Sequence, residues 1–312
     1  MKNFAVLGVG GYIAPRHLDA IKANDCNLVA GYDINDSVGI LDRHYQDVSF
    51  FKTFEEFSFF IDQYNEKSKI DYYSITSPNN MHKFHIVHGL KNGADIICEK
   101  PLVLTVKEIQ ELENYEQKYG KKINTILQLR VHQSIIDLRN KILSENKSKK
   151  YEIDLSYFTS RGPWYHESWK GNNLVSGGLP TNIGIHFFDM LTWIFGAVEN
   201  QEVHIANDNI WSGFLELEKA KVKWVLSIDR KYLPQKAVDQ GKSTYRSITY
   251  DGEEIEFSTG FTELHNIVYS DILKGRGYGP GEARTAIEIV ENMRTLPVLG
   301  KNKKSHPLLG DM

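Results

Sequence analysis

The sequence contains very little cysteine and no excess of charge of either sign. Only 2 cysteines, Cys26 and Cys98, occur among the 312 residues, and neither lies in a metal-ligand spacing. Lys and Arg total 37 against 40 for Asp and Glu, so the chain lacks the basic excess that is typical of nucleic-acid-binding proteins. We therefore expect a reduced, cytoplasmic protein without a nucleic-acid partner.

Long apolar runs are absent as well. No segment is long enough to cross a bilayer, and no hydrophobic signal-peptide region precedes the first predicted strand, so we expect no membrane partner. Hydrophobic residues make up 41% of the chain, which is ordinary for a globular protein. A chain of 312 residues exceeds the size at which a single core usually divides, and this length predicts two domains.

The order of strand-like and helix-like segments predicts an α/β fold. Their alternation over residues 1–125 predicts a Rossmann domain with a doubly wound parallel sheet. The strands of this domain are predicted at 4–7, 28–33, 70–75, 96–97 and 123–130. The helices are predicted from about residue 15 and over 55–64, 84–92 and 105–119.

Residues 126–312 have a different pattern. Alternating apolar and polar residues predict an α+β domain for substrate binding and oligomerisation, with a large, mainly antiparallel sheet. Its strands are predicted at 152–158, 202–206, 211–217, 222–229, 245–250 and 254–257. Its helices are predicted over 135–143, from about residue 180, and over 281–294. The last helix and the tail can pack back on the first domain.

A glycine-rich turn follows the first predicted strand. In Gly8–Ala14, Gly8 and Gly10 match the dinucleotide-binding fingerprint, which allows backbone N–H groups to approach a pyrophosphate at a helix N-terminus. Ile13 stands where the fingerprint has its third small residue. Asp33, at the end of the second strand, can bind the adenosine ribose and repel a 2′-phosphate, and no arginine follows it, which favours NAD over NADP. A capping aspartate at a turn is the alternative.

Two further predicted strands end in polar groups. One ends in Glu99-Lys100-Pro101, and ligands of open α/β sheets bind outside the carboxyl ends of strands, so we expect Lys100 to point into a ligand-binding crevice. Pro101 disfavours a helical conformation at Lys100. The other strand ends in Ser77–His82, whose hydroxyl and amide groups suit ribose and nicotinamide. A solvated strand exit and a Ser-Pro turn are the structural alternatives.

The helix predicted from about residue 180 contains Asn182, His186 and Asp189. Residues three and four apart share one helix face, so an amide, an imidazole and a carboxylate can face the same crevice. Histidine titrates near neutrality and is the usual general base for an alcohol, although a structural histidine is the alternative. A zinc site is disfavoured because no cysteine or second histidine lies at ligand spacing.

In this order, these elements resemble the glucose–fructose oxidoreductase/inositol dehydrogenase (Gfo/Idh/MocA) family over essentially the whole chain. The matching motifs are Gly8-x-Gly10, Ser77-Pro78-Asn79-x-x-His82, Glu99-Lys100-Pro101 and Asn182-x-x-x-His186-x-x-Asp189. The resemblance implies a two-domain, NAD-dependent oxidoreductase. Asn182 departs from the family pattern, because a typical relative has aspartate there.

Further segments resemble one branch of that family, the UDP-N-acetyl-2-amino-2-deoxy-D-glucuronate 3-dehydrogenases. They are Gly10–His17, Leu127–His132, Arg161–Tyr165 and Ser176–Asp189. The resemblance implies oxidation of the sugar C3 hydroxyl to a ketone in the biosynthesis of lipopolysaccharide O-antigen. In some of these enzymes 2-oxoglutarate reoxidises the bound NADH. Three arginines could bind the diphosphate and the uronate, with surface salt bridges as the alternative: Arg16, Arg130 and Arg161.

The resemblance also implies the site residues. We expect His186 to be the base, Lys100 to hydrogen-bond to the same substrate oxygen and Asn182 to orient the pair; Lys100 as the base is the open alternative. Cofactor contacts are expected from Gly8, Gly10, Tyr12, Ile13, Asp33, Ser77, Pro78, Asn79, His82, Glu99, Lys100 and Gln128. Substrate contacts are expected from Arg16, Lys100, Arg130, Arg161, Trp164, Tyr165, Asn182 and His186. No metal is expected.

Other functions remain open. One is a different activity of the same family, such as oxidation of myo-inositol or of a free sugar. Another is a non-catalytic NAD-binding sensor, which would have no need of Lys100 and His186 together. The exposed sheet face that is typical of the family implies a homo-oligomer, either a dimer or a tetramer.

Overall fold

The chain is represented by a computed structural model, and the structure describes residues 1–145, 148–256 and 263–310. It divides into two units. The first unit consists of Met1–Gln128 and Thr262–Arg284, and the second of Leu129–Phe261 and Thr285–Met312. That the chain folds as two independent domains, divided between residues 125 and 126, stays a prediction.

The first unit is built on a parallel sheet. Its strands are β1 (Asn3–Leu7), β2 (Asn27–Tyr32), β3 (Ser49–Phe51), β4 (Tyr72–Ile75), β5 (Asp95–Cys98) and β6 (Ile123–Thr125). They are ordered β3-β2-β1-β4-β5-β6, and every neighbouring pair is parallel. The order reverses between β1 and β4, which is the switch point where such sheets bind ligands. The predicted Rossmann fold is confirmed.

Two strands differ from the sequence prediction. Strand β3 was not predicted, because its three residues are too few to show a period. Strand β6 ends at Thr125 and not at residue 130, and Gln128–Val131 form a 3₁₀ turn instead. The reason is that the pairing partner β5 ends at Cys98, which leaves β6 without a neighbour beyond Thr125.

Helices connect the strands of both units. The helices are α1 (Ala14–Ala23), α2 (Leu41–His44), α3 (Phe54–Lys67), α4 (His82–Lys91), α5 (Val106–Tyr119), α6 (Gln133–Ser144), α7 (Trp164–Glu167), α8 (Asn173–Ser176), α9 (Ile185–Phe195), α10 (Gln235–Asp239), α11 (Leu264–Leu273) and α12 (Pro280–Met293). Helix α5 shows why the boundaries were predictable, since Thr105 and Glu108 form a capping box and Gly120 ends the helix in the left-handed conformation. Helix α11 was not predicted.

The second unit contains a mixed sheet. Its strands are β7 (Tyr151–Thr159), β8 (Val198–Ala206), β9 (Ile210–Leu217), β10 (Ala220–Ser227), β11 (Thr244–Tyr250) and β12 (Glu253–Glu256). The order is β12-β11-β7-β10-β9-β8, and only the β7–β10 pair is parallel. A mainly antiparallel sheet is thereby confirmed. Residue 257, the predicted end of the last strand, lies outside the described residues.

Helix α9 packs on this sheet through its apolar side. Phe188 contacts Trp224 of β10 edge to face, with 5.4 Å between the ring centroids. Gly184, just before the helix, lies so close to β10 that a Cβ atom would be 2.6 Å from the Leu226 side chain. The predicted apolar positions of the helix are all buried, namely Ile185, Phe188, Leu191 and Ile194. This packing fixes the start of α9, where His186 lies, and the turn before it, which contains Asn182.

The parallel pairing of β7 with β10 brings their carboxyl ends to one edge of the second sheet. The Arg161 N–H donates to the Ile228 carbonyl at 2.9 Å, and the Ile228 N–H donates to the Asn209 carbonyl at 3.0 Å. The loop that follows β7 therefore lies beside the β8–β9 turn. None of the helices in the described parts of the chain has the length and hydrophobicity of a membrane span.

Candidate active site

The glycine turn after β1 is packed against the end of β4. Gly8 has φ of +93°, and a Cβ atom on it would lie 2.6 Å from the Ser77 nitrogen, so only glycine fits. Next to it, the Gly10 N–H donates to Asp33 Oδ2 at 2.9 Å. Ile13 occupies the N-cap position of helix α1 without a side-chain hydrogen bond to the helix, and Tyr12 beside it is exposed. The turn leads into the N-terminus of helix α1, the position at which such a fold binds a pyrophosphate. Within the turn, the Gly8 N–H donates to the Tyr32 carbonyl and the Gly11 N–H to the Gly8 carbonyl.

Asp33 lies directly after β2 and is buried. Its Oδ1 accepts the Asn35 N–H at 2.9 Å, while its Oδ2 is held by Gly10. The carboxylate is therefore fixed where the fingerprint places the ribose acceptor. Its bond to Asn35 is also the turn-capping interaction that the sequence left open as the alternative.

The segment after β4 is held by a buried histidine. His82 lies with Nδ1 2.7 Å from the Pro101 carbonyl and Nε2 2.9 Å from the Ser77 carbonyl. Burial lowers the pKa of His82, and the two carbonyl oxygens oppose that shift. The ring thus ties the end of β4 to the residue after Lys100. Ser77 also bonds to His85 through its hydroxyl, at 2.8 Å, while Asn79 is buried and Pro78 is partly exposed.

Glu99, at the end of β5, is buried and points to other protein groups. Its Oε1 accepts from His17 Nε2 and from His265 Nε2, each at 3.0 Å, and its Oε2 accepts the Lys100 N–H at 3.2 Å. Burial opposes ionisation of Glu99, but the hydrogen bonds from the two imidazoles outweigh it and hold its pKa well below the usual range. Sequence reasoning missed both histidines as site residues. Only His17 had a signal, since it ends the Gly10–His17 segment.

Lys100 itself is partly exposed, and its peptide bond to Pro101 is cis. Gln128 is the last residue of the Met1–Gln128 part of the first unit, and it is buried. Within the described chain, no group hydrogen-bonds to Gln128 Oε1. A buried acceptor without a donor is costly, and the carboxamide of a nicotinamide is a donor that would satisfy it.

The second unit holds the other predicted site residues. Pro180–Gly184 form one π-helical turn that leads into α9. Asn182 Nδ2 donates to the Tyr165 hydroxyl at 2.8 Å, and His186, one turn later, is partly exposed. Burial raises the pKa of Tyr165, although Asn182 and Arg161 oppose the shift. The phenol therefore stays protonated and can donate its own hydrogen.

Two of the predicted arginines have defined surroundings in the second unit. Arg130 forms a buried bidentate ion pair with Asp189, at 3.1 Å from Nε to Oδ2 and 2.7 Å from Nη2 to Oδ1. Asp189 thus holds Arg130, in addition to any role beside His186. Arg161 is different, because no carboxylate of the described residues forms an ion pair with it. Arg16 belongs to the first unit, where it is partly exposed on α1.

A cavity of about 220 Å³ lies in the second unit beside Tyr165. Trp211 at the start of β9 and Lys170 also line it. Lys170 Nζ lies 4.5 Å from the ring centroid of Trp169, a cation–π contact. Trp164 is half exposed at the surface of the same loop. Aromatic and cationic groups together can bind a flat, anionic ligand.

The first unit has the features of a dinucleotide site. The Gly8 turn would cradle a pyrophosphate, Asp33 would bind the ribose, and Gln128 would meet the nicotinamide. These residues fit NAD. The fold and this site define a Rossmann-type, NAD-binding oxidoreductase.

Comparison with known proteins identifies the family. Residues 2–126 match the NAD-binding Rossmann fold of the Gfo/Idh/MocA oxidoreductase family, and residues 147–222 match its C-terminal alpha/beta domain. The chain belongs to this family, which confirms the resemblance predicted from the motifs, and its cofactor is NAD.

Two solved structures are similar over the whole length. The WlbA (WbpB) dehydrogenase of Thermus thermophilus in complex with NAD and alpha-ketoglutarate is 45% identical, with a TM-score of 0.95, over 98% of this chain and 99% of that one. A structure of the same enzyme with NAD and UDP-GlcNAcA is 44% identical, with a TM-score of 0.94 and the same coverage. Glucose-6-phosphate 3-dehydrogenase of Bacillus subtilis is 24% identical over 62% of this chain, and the match spans only 54% of its own length.

The geometry at Asp33 predicts which nucleotide binds better after a substitution. Asp33→Asn keeps an acceptor for the Gly10 N–H but removes the charge that repels a 2′-phosphate. The ratio of Kd values for NADP and NAD should therefore fall by about tenfold or more. Calorimetric titration of the nucleotide-free protein with each nucleotide measures it. Asp36→Asn, an exposed acid nearby, is the matched control and should leave the ratio unchanged; an unaltered ratio in Asp33→Asn would contradict the assignment.

The Arg130–Asp189 pair predicts a large loss of stability. Asp189→Asn leaves a buried guanidinium without its counter-charge, which costs about 3–5 kcal/mol of the free energy of unfolding. Asp137→Asn removes an exposed carboxylate whose hydrogen bond among the described residues comes from Gln133, one turn away, and should change stability by less than about 0.5 kcal/mol. Urea unfolding of both variants measures the difference. Equal midpoints would show that the buried pair contributes little.

Proposed function

We propose that the protein oxidises the C3 hydroxyl of UDP-2-acetamido-2-deoxy-D-glucuronate to the 3-keto sugar, with NAD as the hydride acceptor. The similarity to the T. thermophilus dehydrogenase, which was crystallised with NAD and UDP-GlcNAcA, supports this substrate because it extends over both units. The partial relative that is a 3-dehydrogenase of a hexose phosphate supports oxidation at the same carbon.

Arg161 is the observation that carries the substrate proposal. A guanidinium without an ion-pair partner among the described residues is ready to bind a carboxylate or a phosphate. It lies near Tyr165, whose pKa it affects, and Tyr165 bonds to Asn182. The cavity beside Tyr165 leaves room for part of the ligand. An anionic sugar fits these surroundings better than a neutral inositol.

We assign the proton chemistry as the sequence predicted it. His186 accepts the hydroxyl proton, Lys100 hydrogen-bonds to the reacting oxygen, and Lys100 as the base remains the alternative assignment. The Tyr165 hydroxyl accepts from Asn182, which fixes the direction of the amide. Because the phenol keeps its proton, it can also donate to a substrate oxygen. When NAD is bound, it supplies the hydride acceptor at nicotinamide C4.

The remaining parts of the proposal concern the setting of the reaction. The T. thermophilus enzyme also binds alpha-ketoglutarate, so we propose that 2-oxoglutarate reoxidises NADH in this protein as well. We further propose a homo-oligomer, a dimer or tetramer, and a role in lipopolysaccharide O-antigen biosynthesis. Both cysteines are buried free thiols, which supports a cytoplasmic location.

The proposal predicts strong discrimination between two related sugars. Losing a charge-assisted hydrogen bond costs on the order of 3 kcal/mol, so kcat/KM for the uronate should exceed that for UDP-N-acetylglucosamine by at least about a hundredfold. Arg161→Gln should reduce this ratio to below about tenfold, because the charge that reads the carboxylate is gone. The assay is NADH formation, or turnover driven by 2-oxoglutarate if the reduced cofactor stays bound.

Arg43→Gln provides the matched control, since Arg43 is an exposed arginine on α2 in the first unit. It should keep the discrimination of the unsubstituted enzyme. Equal efficiency of the unsubstituted enzyme on both sugars would refute the substrate proposal. Unchanged discrimination in Arg161→Gln would show that another group reads the uronate.

A further inference from the structure

Five buried side chains of the first unit form one hydrogen-bonded group, which we name the Glu99 cluster. Its members are Glu99 at the end of β5, His17 on α1, His265 and Tyr269 on α11, and Ser74 on β4. All of them are at least nine-tenths buried. The cluster therefore joins the residue before Lys100 to a helix that follows it by more than a hundred residues in sequence.

The hydrogen-bond geometry orders the protons of the cluster. His17 Nδ1 lies 2.7 Å from the Tyr269 hydroxyl and 3.0 Å from Ser74 Oγ, and Nε2 lies 3.0 Å from Glu99. Burial lowers the pKa of His17 and raises that of Tyr269, so the imidazole is neutral and the phenol is protonated. A neutral ring with its hydrogen on Nε2 donates to Glu99 and accepts from Tyr269. Each of these groups is then satisfied.

His265 supplies the second donor to the same carboxylate oxygen. Its Nε2 lies 3.0 Å from Glu99 Oε1, and its Nδ1 is buried without a hydrogen-bond partner among the described residues. Burying Nδ1 without a partner costs free energy, so the His265 ring keeps its place through its one hydrogen bond to Glu99. With the Lys100 N–H, the carboxylate has three donors, which is enough to keep a buried carboxylate ionised.

We propose that Glu99 is a positioning residue for Lys100, and that His17 and His265 hold it in place. Glu99 accepts the backbone N–H of Lys100 on one oxygen while both imidazoles fix the other oxygen. Through His265 and Tyr269, helix α11 becomes part of the support of the active site. The inference rests on the proposed function in so far as Lys100 takes part in the reaction. It assigns Glu99 a role other than the cofactor contact expected from the sequence.

Removing one donor should slow turnover without removing the cofactor. In His265→Leu, Glu99 loses one of its two imidazole donors, so the strand end that carries Lys100 is less fixed, and a misplacement of this kind lowers kcat roughly tenfold to a hundredfold. The Kd for NAD should change by less than about threefold, because the glycine turn and Asp33 are untouched. His265→Gln retains an N–H donor at the same reach and should restore most of the rate.

The pH dependence separates positioning from a general loss of structure. The titratable or charged groups near Glu99 are His17 and Arg16 on α1, His265 and Tyr269 on α11, His82 on α4, and Cys98 and Lys100 beside it in sequence. The imidazole donors lower the pKa of Glu99, so its ionised form is lost only at low pH. Without the His265 donor, burial raises that pKa, and the acidic limb of the kcat profile should move to higher pH. His265→Gln should move it back.

The experiment compares the unsubstituted holoenzyme with His265→Leu, His265→Gln and, as a control, His44→Leu, a histidine on α2 outside the cluster. For each protein, kcat against pH and the Kd for NAD are measured, and ¹⁵N NMR of the imidazoles reports their tautomers. We expect Nε2–H tautomers for His17 and His265. In His265→Leu, kcat should fall and its acidic limb should move to higher pH, and His265→Gln should restore both. His44→Leu should behave like the unsubstituted enzyme.

Several outcomes would overturn the inference. One is a kcat profile of His265→Leu that does not differ from that of the unsubstituted enzyme. A second is a loss of kcat that is equal at every pH and that His265→Gln does not restore. A loss of NAD binding with kcat intact, or a stoichiometric metal ion in the purified protein, would also do so. The NMR readout needs no substrate. Expected tautomers in a protein that does not oxidise the UDP-sugar would therefore refute the proposed function and leave the hydrogen bonding of the cluster intact.

Discussion

The parallel pairing of β1 with β4 and of β4 with β5 is the constraint on which the rest of the first unit depends. It brings the carboxyl ends of these strands to one edge. Gly8, after β1, packs on Ser77, after β4, and Glu99 follows β5, the next strand of the sheet. The approach at Gly8 leaves no space for a side chain, and it holds the turn at the N-terminus of α1, where a sheet of this kind binds a pyrophosphate.

In the second unit, polar side chains are buried around α9, whose apolar side packs on the sheet. The Arg130–Asp189 ion pair and the Asn182–Tyr165 hydrogen bond satisfy these groups within the unit. Buried charges need such partners, and a site built from them is rigid because each member fixes the next. Arg161 stands apart from this pattern, because it has no carboxylate partner among the described residues.

The features that local sequence rules describe were predictable. Gly8, Asp33 and Lys100 were predicted to follow apolar strands, and they come after β1, β2 and β5. Their contacts with a ligand stay a prediction. The length of β6 was wrong because it depends on where its neighbour ends, which no local pattern records. The His265–Glu99 contact joins residues 166 positions apart, and helix α11 was not predicted. A hydrogen bond across that separation leaves no periodic trace in the sequence.

An isotope label can follow the proposed hydride transfer from C3 of the UDP-uronate to NAD. UDP-2-acetamido-2-deoxy-D-glucuronate carrying deuterium at C3 is incubated with the enzyme and a stoichiometric amount of NAD, without 2-oxoglutarate, and the products are analysed by NMR and mass spectrometry. We expect deuterium at nicotinamide C4 and a ketone at C3 of the sugar. Retention of deuterium in an unaltered sugar, or a ketone at another carbon, would contradict it.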